Sequence, residues 1–76
     1  MSIQILLDLL DKIDGYPYDP AKDLSFLTDL LAEFPHVNLH EELIRFRLWL
    51  SETPPYPRLR YRLLLRKWIQ NASSKQ

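Results

Sequence analysis

A single glycine in 76 residues is what most narrows the folds open to this chain. Tight hairpin turns need left-handed backbone, and glycine is the residue that adopts it without cost. With Gly15 alone, a protein built of sheets and hairpins is excluded and helices remain. The six prolines fall between the apolar stretches and not inside them, as expected of helices separated by short stiff links. There is no cysteine, so neither a disulfide nor a thiolate metal site assists folding. A chain this short buries only about 60% of its unfolded surface. One core must therefore hold the whole molecule, and we expect a single domain over residues 1–72 with a flexible tail over 73–76.

The fold class read from this punctuation is all-α, a small four-helix bundle with helices at about 2–14, 20–34, 38–52 and 57–72. In the first, Ile3, Leu6, Leu7, Leu10 and Ile13 recur at three- and four-residue spacing, the mark of one apolar face. Gly15 supplies the left-handed residue that stops it. Asp19 then reads as an N-cap with Pro20 at the first helical position, and Asp23 adds favourable charge to the first turn. Leu24, Leu27, Leu31 and Phe34 form the stripe of the second helix, which Pro35 ends. Asn38 with Glu41 has the spacing of a capping pair at the start of the third. The expected core comprises Leu7, Leu10, Leu27, Leu31, Leu43, Phe46, Leu50, Leu64, Leu65 and Trp68.

Net charge is zero, but it is unevenly placed. Residues 1–33 hold seven acids and two bases, and residues 34–76 hold three acids and eight bases. Either the two halves attract each other in the folded state, or the basic half meets an anionic partner. The fourth helix frames the question. Tyr61, Leu64, Leu65, Trp68 and Ala72 converge on one face. Arg62 and Arg66 flank that face on one side, Arg60 and Lys67 on the other. Leu59 and Leu63 point away, to be covered by the first helix or the Tyr16–Tyr18 link, or to meet a partner with the cations as rim.

Residues 15–72 resemble the C-terminal segment of phage and prophage replication-initiation (replisome-organiser) proteins of Gram-positive bacteria. The resemblance rests on the step Phe34-Pro35-His36-Val37-Asn38-Leu39, the helix end Trp49-Leu50, the link Pro54 to Pro57, and the basic ending Arg66-Lys67-Trp68. More loosely, Tyr61, Leu65 and Trp68 are similar to the final-helix pattern of the DnaD-like primosome domain, which is implicated in DNA binding. The resemblance implies a replication setting, with DNA or a replication protein as partner.

Catalytic chemistry finds no support in the residues. Ser51, Thr53 and Ser73 have no base at a recognisable spacing. Asp8, Asp11 and Asp14 read as a solvated helix face. His36 precedes the third helix, so it does not share a helical face with His40, and no metal or other cofactor is expected. No apolar run approaches the ~18 residues of a membrane span, and no basic segment precedes Ile3 as in a secretion signal. We therefore expect a cytoplasmic, non-enzymatic binding module with no membrane and no small-molecule substrate. In the first reading Arg58, Arg60, Arg62, Arg66 and Lys67 neutralise phosphates while Tyr56 or Trp49 offers a stacking face to a base. Some three to five such contacts predict a salt slope of about −3 to −4 on duplex DNA. In the alternative, Leu59 and Leu63 with their basic rim dock on an acidic replication partner. In the nucleic-acid reading, Arg62→Glu with Arg66→Glu is expected to leave the fold intact while abolishing binding to all sequences alike.

Overall fold

The computed structural model describes residues 3–52 and 60–74. It contains four helices, α1 (Ile3–Asp11), α2 (Pro20–Glu33), α3 (Leu39–Glu52) and α4 (Tyr61–Ser74). No strand occurs among the described residues, and the all-α bundle expected from the punctuation is the fold found. The expectations placed on Tyr56, Arg58 and Leu59 lie outside the described residues.

The helix ends follow their local chemistry. Asp19 caps α2, its Oδ1 accepting the Lys22 N–H at 3.1 Å, with Pro20 beginning the helix. Asn38 does the same for α3, its Oδ1 accepting the Glu41 N–H at 3.2 Å. Two helices differ from expectation by more than a residue at an end. α1 gives way after Asp11 to turns in which the Ile13 and Tyr16 N–H groups donate to the carbonyls three residues earlier. That tighter path carries Ile13 and Tyr16 into the core, at 4% and 8% exposure. α4 begins at Tyr61, with Arg60 at its cap, the Arg60 carbonyl accepting the Leu64 N–H at 2.9 Å; the expected start near Pro57 lies outside the described residues. The helix continues through Ser74, past the expected end at 72.

Gly15 closes the α1 turn at φ +81°. A Cβ built there would stand 2.7 Å from the Tyr61 hydroxyl oxygen, the same hydroxyl that donates to the Asp14 carbonyl at 3.4 Å. Gly15→Ala should therefore cost about 1–2 kcal/mol from the left-handed backbone, plus the displacement of Tyr61. Denaturant unfolding in the presence and absence of Tyr61→Phe separates the two. The loss should be smaller when the hydroxyl is gone, and an equal loss in both backgrounds would show that the contact is immaterial.

α1 packs against α2 and α3, and α3 packs against α4. Phe46, Leu6, Leu10, Leu27, Leu30, Leu43, Leu65 and Ile69 are fully buried. Leu50, Leu64 and Trp68, expected in the core, lie half-buried against it. Leu31 and Leu24 are corrections, for they are 40% and 44% exposed. The cause is the rotation of α2. Asp23 is completely buried and shares the inward arc with Leu27 and Leu30, which turns Leu24 and Leu31 outward.

Candidate interaction surface

α4 is attached to the rest of the domain along two sides. Toward α3 the seam is aromatic. Phe46 and Trp68 meet edge to face at 5.6 Å, Phe46 and Trp49 stack at 6.1 Å, and the two indoles lie tilted at 5.7 Å. The Trp68 Nε1–H donates to Glu42 Oε2 at 2.9 Å, so the polar edge of a mostly apolar ring has its partner. Trp49, expected as a free stacking face for a base, is half-buried within this cluster.

Toward α2 the attachment is ionic. Arg62 Nε donates to Asp23 Oδ1 at 2.9 Å and Arg62 Nη2 to Asp23 Oδ2 at 3.0 Å, a two-pronged pair. The same Nη2 donates to the Pro17 carbonyl at 2.7 Å, and the guanidinium carbon lies 5.2 Å from the Tyr16 ring centre. Tyr16 donates its hydroxyl to Asp23 Oδ1 at 2.5 Å, and the Asp19 N–H donates to Asp23 Oδ2 at 2.9 Å. Burial alone would push the Asp23 carboxyl up. The Arg62 guanidinium, the Asp19 N–H and the Tyr16 hydroxyl outweigh it and hold the group below the usual carboxylate range. Burial and then the Asp23 carboxylate push the Tyr16 phenol up. Hydrogen bonding to Asp23 raises Arg62 further. One turn along α4, Arg66 pairs with Glu33 at the end of α2.

The uneven charge of the two halves is thus satisfied in part inside the molecule. Arg62 and Arg66, expected to serve a phosphate backbone as a row, both face acids of α2. Reversing Arg62 would set a second carboxylate beside buried Asp23, so the expectation that this change spares the fold is withdrawn. Asp23 and Tyr16 were not singled out as site residues. The signal for Asp23 in the sequence is an acid four and seven residues before Leu27 and Leu30, the apolar residues of the inward arc of α2, a position that the helix dipole alone also accounts for.

The remaining face of α4 looks to solvent. Leu63 is 46% exposed, so neither α1 nor the Tyr16–Tyr18 link covers it. Arg60 and Lys67 lie three residues before and four after it, exposed and without an ion-pair partner among the described residues. Arg60 also sits at the positive end of the α4 dipole, where no acid occupies the first turn. Elsewhere, Arg45 on α3 bonds Glu41 at 2.6 Å and Glu42 at 3.2 Å. Among the described residues no three His, Cys, Asp or Glu side chains are grouped for a metal ion, and no helix is long and apolar enough to cross a membrane.

No protein-family model, no curated protein and no solved structure matches this chain.

Proposed function

We propose that the protein is a small non-enzymatic binding module whose α4 face, Leu63 flanked by Arg60 and Lys67, docks on an acidic partner protein. The observation that carries this reading is the exposure of Leu63 between two cations that have no ion-pair partner among the described residues. An apolar side chain with a charged rim is the pattern of a small contact patch. Arg60 adds to it, because a cation at a helix N-terminus opposes the dipole and is relieved by an external carboxylate. The resemblance of residues 15–72 to replication-initiation proteins supports another replication protein as that partner, in the cytoplasm.

Nucleic acid is the second reading, and it rests on the same cations. With Arg62 and Arg66 turned to Asp23 and Glu33, the described α4 cations left for phosphate are Arg60 and Lys67. The salt slope on duplex DNA then falls to about −2.

Calorimetric titration with an amphipathic Leu/Glu helical peptide, and separately with single- and double-stranded oligonucleotides at low salt, tests both. The peptide should bind, and Leu63→Glu should weaken it by roughly tenfold or more, a loss of about 1.4 kcal/mol. Urea unfolding of that variant should shift by less than about 1 kcal/mol, since the side chain is half in water. An oligonucleotide that binds while the peptide does not would replace the first reading by the second. Peptide binding that ignores Leu63→Glu would remove α4 as the site.

A further inference from the structure

The two ion pairs that tie α4 to α2 are of opposite kinds, though their arginines are one turn apart. Asp23 is 0% exposed and accepts four hydrogen bonds, from Tyr16, Asp19 and twice from Arg62. That pair is part of the core. Glu33 and Arg66 are 46% and 42% exposed, and among the described residues each is the other's one ion-pair partner. A pair so open to water contributes little and exchanges readily.

Glu33 is also poorly placed for its own helix. It is the last residue of α2, at the negative end of the dipole, and no base of α2 occupies that turn. Arg66 is the cation that offsets both the carboxylate and the helix end. On α4, Arg66 lies three residues after Leu63 and next to Lys67, so its long side chain can reach an anion seated on Leu63 as well as it reaches Glu33. If Arg66 leaves, Glu33 returns to water, with no buried charge left behind.

Resting on the acidic-partner reading above, we infer that Glu33 is a built-in competitor for the partner: it holds Arg66 off the α4 face, and a carboxylate of the partner displaces it on binding. The rim of the occupied site then has three cations, Arg60, Arg66 and Lys67. The affinity of the face is set in part by α2, a helix that does not itself touch the partner.

The test is calorimetric titration of the same Leu/Glu peptide into the wild-type protein and into Glu33→Gln, Asp11→Asn, Leu63→Glu and the double variant Glu33→Gln with Arg66→Gln. Asp11→Asn removes one exposed acid of α1 and controls for net charge. Glu33→Gln should bind about two- to fivefold tighter, the range an exposed pair allows, and tighter than Asp11→Asn. The double variant should lose that gain. The urea midpoint of each variant is measured alongside, so that a shift in folded fraction is not mistaken for affinity. If the wild type binds and Leu63→Glu abolishes binding, but Glu33→Gln matches Asp11→Asn, the competitor role is overturned and the docking face stands. If no variant binds the peptide, the docking face itself fails and this inference with it. A gain seen for an oligonucleotide in place of the peptide would overturn the partner class.

Discussion

Asp23→Ala should cost about 3–5 kcal/mol, the range measured when one member of a buried ion pair is removed. At roughly 0.05–0.15 kcal/mol per residue, a 76-residue domain has on the order of 4–11 kcal/mol to lose. The variant should therefore be largely unfolded at modest urea. Several groups lose their acceptor at once: the Tyr16 hydroxyl, the Asp19 N–H and both prongs of Arg62. Arg62→Met should be costly too, since it leaves the Asp23 carboxylate at 0% exposure without its cation. The double variant should recover part of the loss, because replacing both partners by apolar groups leaves no orphaned charge. Urea unfolding of the four proteins closes the cycle, and additive losses would mean that the pair is not coupled.

The same group sets the acid behaviour. Its folded-state titration lies below the usual carboxylate range, so its contribution is complete above about pH 4, the unfolded value. It is lost as pH falls through the lower folded value. Wild-type stability should decline with acidification in that window, more steeply than that of Asp23→Ala with Arg62→Met.

The second large effect is expected at Phe46. It is fully buried and touches both indoles, so Phe46→Ala should cost about 3–5 kcal/mol through the cavity and the lost ring contacts. Leu31→Ala is the contrast. At 40% exposure it should cost less than about 1 kcal/mol. Chemical unfolding followed by circular dichroism compares the two, and similar losses would contradict the orientation of α2.

That orientation marks where sequence reasoning reached its limit. The number of helices and the Asp19-Pro20 and Asn38 starts were legible, because each depends on backbone groups within a few residues; the end of α1 was not, since the helix gives way after Asp11, short of Gly15. The inward face of α2 was not. Its apolar residues span a wide arc, and which part turns inward is decided by a partner 39 positions away, Arg62 opposite Asp23. α4 met the same ambiguity. Its periodicity gives Tyr61, Leu64, Leu65, Trp68 and Ala72 as the core stripe, yet fully buried Ile69 lies one step outside it. The same periodicity turned Leu63 away from the core stripe but left open whether α1 or the Tyr16–Tyr18 link covers it, and its exposure, like the engagement of Arg62 and Arg66 with α2, needed the third dimension. Opposite charges in two halves of a chain show that pairing is available, not which pairs form.

The aromatic seam gives the molecule a built-in optical gauge. Both tryptophans of the chain belong to the cluster where α3 meets α4, and their rings are 5.7 Å apart. Fluorescence excited selectively at tryptophan, so that the four tyrosines do not contribute, therefore reports chiefly on the contact between these two helices. Far-ultraviolet dichroism sums over all four. Superimposable transitions from the two signals would mean that α4 leaves only when everything melts. An earlier fluorescence transition would mean that the last helix detaches as a unit from a three-helix remainder.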